Sequence, residues 1–281
     1  PRFAVAPVDG PTRTLVGALY VGLTAADPPE TASLLVQTAP GTADPEAVPP
    51  AVTWQVLEGD TWRSLRPDEV LADTTGGFVR SGIVRLALGR AVDAAHRLLP
   101  SGLRWLRAAV TASPAALDRL VAVRAQAVRA TRVSGLAPPG VVEAGTVSKL
   151  KVRPPAVKGV EQPFASVGGR AAEGRDAFVR RVSERVGHRA RAVTPADYER
   201  IALEAFPTLH RVRCVPHARV LASGAVDKQA PGSVVVVVVP DVAQTAVRDP
   251  LRPRASQGQL AEIRDTLTEA AADAVALDVR N

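Results

Sequence analysis

At 281 residues the chain has room for two domains and a sizeable core, and an apolar share of 46% excludes a disordered protein. Aromatic residues make up only 4%, so the core must be built from Val, Leu and Ala. The formal charge is +7, and all but Lys149, Lys151, Lys158 and Lys228 among the 35 basic residues are arginine. A basic chain suits nucleic acid, acidic membranes or acidic protein partners, and no run of five basic residues singles out nucleic acid. No methionine occurs, even at position 1, so we expect a piece of a longer chain. Cys214 is the lone cysteine, which excludes a disulfide framework within this segment and fits a reducing compartment. The longest apolar run, Val234 to Val239, is strand-sized, far short of the ~20 residues of a membrane helix, so no membrane span is expected.

The first half reads as β-structure. Leu15, Leu19, Tyr20, Val21 and Leu23 form one apolar strand pattern and Leu34-Leu35-Val36 another, separated by Asp27-Pro28-Pro29. A Pro/Gly/Asp loop runs from Ala39 to Pro50, and proline punctuates strands because it lacks an amide donor. Val52, Trp54 and Val56 alternate with Thr53 and Gln55, the period of a half-buried strand, and Glu58-Gly59-Asp60 is a tight turn leading to Trp62 and Leu65. After the turn-like cluster Asp73 to Phe78, further strands are expected around Ile83 to Leu88 and Leu103 to Val110. Strands at this spacing predict a sandwich-like domain, with each Trp in the core.

From Pro114 to Ala130 the apolar spacing predicts a helix, with Ser113 as its N-cap, and Thr131 to Pro155 predicts an extended connector. The spacing of Phe178, Val182 and Val186 predicts an amphipathic helix over Glu173 to Val186 that stops at Gly187. Thr194-Pro195-Ala196-Asp197 predicts the capped start of a second helix, ended by Phe206-Pro207. The helical period turns Phe178 and Tyr198 inward. A strand through Val212 and Cys214, a buried strand from Ser233 to Pro240, a helix bearing Leu260, Ile263, Leu267 and Ala271, and a further strand starting at Val279 complete the pattern. The expected architecture is a multi-domain α+β chain. Residues 1–112 form a β-rich domain, 113–160 a helix and extended connector, and 161–281 an α+β domain cut off at its C-terminus.

Chemistry is sparse. His210, Cys214 and His217 offer three soft ligands in eight residues, and strand geometry places them near one face, but the CxxC or HExxH partners of a zinc site are missing. No G-x-S-x-G elbow occurs, and Gly168-Gly169-Arg170 lacks the Lys of a phosphate loop, so it reads as a turn. Asp197, Glu199 and Glu204 suit helix capping and surface pairing better than paired-carboxylate catalysis. No enzyme activity and no cofactor or metal are expected. The distinctive feature is an arginine set, Arg170, Arg175, Arg180, Arg181, Arg185, Arg189, Arg191 and Arg200, without aromatics placed to stack bases. Arginine favours protein interfaces through bidentate pairing and stacking, so these residues are expected at subunit contacts. A basic nucleic-acid-binding module is the competing class.

One stretch, Glu161 to His217, carries a family likeness. Its residues are Gln162-Pro163-Phe164, Gly168-Gly169-Arg170 with Glu173, Arg181 to Arg185, His188, Arg191 to Thr194, Asp197-Tyr198-Glu199, Leu203-Glu204, Phe206-Pro207, and Cys214 with His217. In order, spacing and type this stretch resembles the baseplate J-like family, the wedge proteins of phage-tail-like contractile injection systems. Weaker matches reach upstream, among them Leu19 to Leu23, Trp54 with Trp62, Ser81-Gly82 and Gly102 to Leu106. The resemblance implies a structural wedge without catalysis, assembled in the cytoplasm of the producing bacterium into a phage-tail-like particle. It implies as partners other wedge subunits of the same or a paralogous chain, the hub and spike, and sheath-proximal proteins, in a sixfold arrangement that couples baseplate rearrangement to sheath contraction.

Overall fold

The computed structural model describes residues 15–24, 30–90, 95–112, 114–131, 140–168, 173–221, 223–243, 245, 247 and 249–281. Among them are thirteen strands and three α-helices, a β-rich α+β arrangement as the periodicities predict. The chain divides into two compact units, residues 1–129 with 188–281, and residues 130–187.

The first unit contains a sandwich of two four-stranded antiparallel sheets. One has the order β1 (Gly17–Leu23), β7 (Arg104–Val110), β3 (Val52–Glu58), β4 (Thr61–Ser64). The other has the order β5 (Val70–Asp73), β6 (Gly82–Leu88), β2 (Glu30–Ala39), β8 (Arg119–Ala125). The chain passes repeatedly from one sheet to the other, so a single core collects Leu19, Trp54, Val56 and Leu106 from the first sheet and Leu34, Val36, Val84 and Leu86 from the second. The Gly59-Asp60 turn forms as expected, with Gly59 at φ +57°. Trp54 is core, packed edge-on against Phe78 at 5.8 Å. Trp62 is only partly buried: it meets Tyr20 edge-on at 5.6 Å and carries the buried Arg107 guanidinium 4.3 Å above its ring.

The helix expected from Pro114 to Ala130 is a correction. The segment makes one 3₁₀ turn, Pro114–Ala116, and then strand β8, while Ser113 lies outside the described residues. The cause is a bulge. Gln37 pairs with Ala122 but Thr38 pairs with Leu120, so Val121 is left over and exposed. The extra residue breaks the period of two and gives Leu117, Leu120 and Val123 the spacing of a helix.

A buried carboxylate stiffens the β4–β5 corner. Glu69 accepts from Arg63 Nη1 at 2.8 Å, Arg63 Nη2 at 3.1 Å and the Arg66 amide at 2.7 Å. The Arg63 guanidinium holds the Glu69 carboxyl below its usual range, the Arg66 amide adding to the effect. A depressed acid stabilises the fold above its unfolded value of about 4.3 and loses that contribution as pH falls through the folded value. Glu69→Gln is therefore expected to cost about 1 kcal/mol at pH 7. In urea unfolding the gap from the parent chain should begin to narrow near the unfolded value of about 4.3 and close only as pH falls through the lower folded value.

The same unit holds α2 (Pro195–Ala205), β9 (Leu209–Pro216), the short hairpin β10 (Arg219–Val220) and β11 (Val226–Asp227), β12 (Ser233–Pro240), α3 (Gln257–Ala270) and β13 (Ala276–Arg280). β12 is the central strand, antiparallel to β9 and parallel to β13. The two helices share a core with one face of this sheet: Tyr198, Ile201 and Ala202 from α2 and Leu260, Ile263 and Leu267 from α3 meet Val212, Cys214, Val236, Val238 and Val279. The capping box at α2 forms as its residues predict. The Asp197 amide donates to Thr194 Oγ1 at 3.3 Å and the Thr194 amide to Asp197 Oδ2 at 2.8 Å. Thr194→Ala should lower the unfolding free energy by about 1 kcal/mol, measured by chemical denaturation.

Among the described residues the sandwich and the α+β part meet closely at Gly258. The turn after β5 is built by Asp73, whose Oδ1 accepts from the Thr75 amide at 2.7 Å, and by Thr75, whose Oγ1 accepts from the Phe78 amide at 3.1 Å. It delivers Val79 and Arg80 to the first turn of α3, where Gly258 sits so close that a Cβ there would lie 2.3 Å from the Val79 carbonyl oxygen. Around this contact Gln257 Nε2 donates to the Pro45 carbonyl at 2.6 Å, Arg80 pairs with Asp265 at 3.5 Å, and Arg254 pairs with Glu46.

Candidate subunit interface

The arginine set divides between the two units. Arg175, Arg180, Arg181 and Arg185 lie on α1 (Arg175–His188), nearly all of it in the second unit, whereas Arg189, Arg191 and Arg200 belong to the first. Arg170 lies outside the described residues. On α1 the period of 3.6 brings Phe178, Val182 and Val186 into one stripe, with Val179 beside it. Arg181 and Arg185 border this stripe along one side, one turn apart, and Arg175 stands at its N-terminal end. Arg180 falls on the opposite face with Asp176 and Glu184.

The stripe is not core. Phe178 is 48% exposed, Val179 57%, Val182 36% and Val186 69%, whereas Tyr198 on α2 is 3% exposed. The expectation that the helical period turns both aromatics inward therefore holds for Tyr198 and fails for Phe178. Periodicity shows which residues share a face, but it carries no information about what covers that face. Arg181 is held in place beside the stripe. Its guanidinium forms a forked pair with the Glu173 carboxylate, with Nε 3.0 and 3.1 Å from the two oxygens, and its Cζ lies 5.4 Å from the Phe178 ring centroid. The Arg181 hydrogen bond keeps the Glu173 carboxyl below its ordinary value.

α1 ends differently from the pattern its glycine predicts. The helix runs through Gly187 to His188, and the left-handed positions fall on Arg189 and Ala190, at φ 51° and 55°. His188 stabilises this stop. It is buried, its Nδ1 accepts from the Ala190 amide at 3.0 Å, and its carbonyl accepts from the Arg191 amide at 2.9 Å. Arg189, Arg191 and Arg200 are exposed.

The His/Cys cluster does not converge. Val239 pairs with Arg211 and Pro240 with Leu209, so a bulge at His210 turns that residue outward, and His217 is exposed at φ 54°. Cys214 is buried, its amide donates to Glu199 Oε1 at 3.0 Å, and burial followed by the Glu199 charge pushes its thiol up to about 11. Among the described residues no three His, Cys, Asp or Glu side chains gather as a metal site requires, and no helix is long and apolar enough to cross a membrane. Glu199 thus links α2 to β9, and Asp197 caps α2. Sequence reasoning did not find Gly258 as a contact residue; its only signal was a glycine in the first turn of the helix marked by Leu260, Ile263 and Leu267.

α1 thus presents an exposed apolar stripe bordered by arginines. The chain belongs to the PVC11-like family of baseplate proteins, whose family model matches residues 3–281. Among solved structures it is similar to a chain of the cryo-EM structure of the anti-feeding prophage (AFP) baseplate, 6-fold symmetrised, at 20% identity and a TM-score of 0.34, over 92% of this chain. The match spans 58% of that longer chain. The comparison with curated proteins finds no match.

Proposed function

We propose that this chain is a structural wedge component of the baseplate of a contractile injection system. In this reading it docks on neighbouring subunits through α1 and helps transmit baseplate rearrangement to the sheath. Its partners are other wedge subunits, of the same or a paralogous chain, with hub, spike and sheath-proximal proteins, arranged sixfold, and it carries out no catalysis. The resemblance of Glu161 to His217 to J-like wedge proteins points the same way. The observation that carries the reading is the uncovered stripe of Phe178, Val182 and Val186 beside Arg181 and Arg185. Burying a half-exposed Val or Phe contributes about 1 kcal/mol each, and arginines at the rim select an acidic partner. Arg175, Arg181 and Arg185 are the contact residues on α1, with Arg189, Arg191 and Arg200 available for a second contact. The test is charge reversal at Arg181 and Arg185, read as baseplate assembly with the fold of the chain monitored separately.

A further inference from the structure

A second surface, apart from α1, lies in the loop that Gln162 closes. Gln162 Nε2 donates to the carbonyls of Val142 and Phe164 at 3.2 and 3.0 Å, its Oε1 accepts from the Val147 amide at 3.0 Å, and its own carbonyl accepts from the Gly145 amide at 2.8 Å. Ser166 and Val142 bond to each other at 2.8 Å in both directions. One polar side chain thus ties both ends of an arm that leaves at Val147 and returns at Gln162. Toward its tip the Val157 amide donates to the Pro154 carbonyl at 3.0 Å and Arg153 Nη1 to the Lys158 carbonyl at 3.3 Å.

Between the closed base and that turn runs Ser148-Lys149-Leu150-Lys151-Val152-Arg153. Basic and apolar residues alternate with the period of a strand, and Pro154-Pro155 ends the pattern as it would end a strand. Yet residues 148–153 belong to no sheet, and among the described residues their backbone amides donate to no protein group. Leu150 is 41% and Val152 81% exposed. Three of the chain's four lysines stand in this arm, and no carboxylate occurs between Glu143 and Glu161.

We infer that residues 148–153 add as a strand to the open sheet edge of a baseplate subunit other than a second copy of this chain. Lys149, Lys151 and Arg153 then face carboxylates on one side of that sheet, and Leu150 and Val152 pack on its other side. Six residues in extended form span about 20 Å, the length of an ordinary strand. The chemistry favours a sheet over a nucleic acid. A phosphate backbone uses the charges but leaves Leu150 and Val152 uncovered, and no aromatic residue between 140 and 160 stacks on a base. Amides without a partner among the described residues, beside alternating side chains, match the main-chain pairing and side-chain pockets of strand addition.

The test compares amide hydrogen exchange of the full chain alone and in purified assembled particles. The expected result is fast exchange at residues 148–153 in the isolated chain and exchange slowed about tenfold or more at alternate amides in the particle. Carbodiimide treatment of the particle should also join Lys149 or Lys151 to a carboxylate of a different subunit. Val152→Pro, which keeps every charge and removes one amide, should lower incorporation about tenfold, as should Lys149→Glu with Lys151→Glu, while Lys228→Glu has no effect. Unchanged exchange in the particle overturns the inference. So does protection already present in the concentrated isolated chain, which assigns the arm to a second copy. Protection produced by a double-stranded DNA oligonucleotide, with Val152→Pro incorporated normally, assigns it to nucleic acid. The arm and α1 are separate segments of the chain, so failure of the α1 variants to block assembly leaves this result standing.

Discussion

A chain carrying Arg181→Glu and Arg185→Glu is expected to fold like its parent and to fail to enter baseplates. The fold should tolerate the change because both residues lie on α1 outside every core cluster of the described residues. Arg181 pairs with an exposed carboxylate at Glu173, and exposed pairs of this kind contribute little to stability. Assembly should not tolerate it, because two positive charges one turn apart at the rim of an apolar stripe become negative toward the same partner. Like charges at an interface cost several kcal/mol, roughly the whole gain from burying Phe178, Val182 and Val186. Circular dichroism and urea unfolding of the purified double variant should overlay the parent. Counting particles by electron microscopy should show loss of complete baseplates. Val182→Asp, which leaves both arginines in place, should have the same effect, because it puts a charge in the middle of the stripe. Lys228→Glu, placed on another part of the chain, should assemble normally.

The second large effect is on stability. Gly258→Ala is expected to cost about 3 kcal/mol, because its Cβ would overlap backbone at Val79. Arg80 Cβ lies 3.0 Å from the same point. Relief requires α3 to lift off the sandwich, which also breaks the Gln257 bond to Pro45 and the Arg80 pair with Asp265. Gly187→Ala is the matched control. Gly187 sits within α1, nothing lies within 4 Å of its would-be Cβ, and replacing a helical glycine by alanine stabilises by about 0.5–1 kcal/mol. Opposite shifts in the urea midpoint for the two glycine variants are the expected result. Equal shifts would remove the close contact as the joint between sandwich and α+β part.

Much of the fold was legible because local chemistry and tertiary structure agree in it. Alternation at Val52 to Val56 and the glycine at 59 specify a hairpin that forms, and Thr194 to Asp197 specifies a cap that closes. Legibility failed where a residue's partner lies far away in sequence. The bulge opposite Gln37 and Thr38 made β8 read as a helix, because period arguments assume an unbroken ladder. A similar bulge separates His210 from Cys214. The order of strands within the sandwich leaves little local trace, since most successive strands lie in opposite sheets and do not pair with each other. On α1, periodicity correctly grouped Phe178 with Val182 and Val186. That this group stays uncovered was invisible, because an apolar helix face looks the same whether its own chain or another buries it. The lysine arm escaped notice for the opposite reason: its alternation is a strand's, but among the described residues no strand pairs with it.

A reconstruction of the assembled particle that resolves side chains on α1 tests the central claim most directly. The account predicts Phe178, Val182 and Val186 buried against a different baseplate subunit, with Arg181 and Arg185 within hydrogen-bonding distance of its carboxylates. A particle in which that stripe faces solvent, or in which the arginines contact nucleic acid, would contradict it.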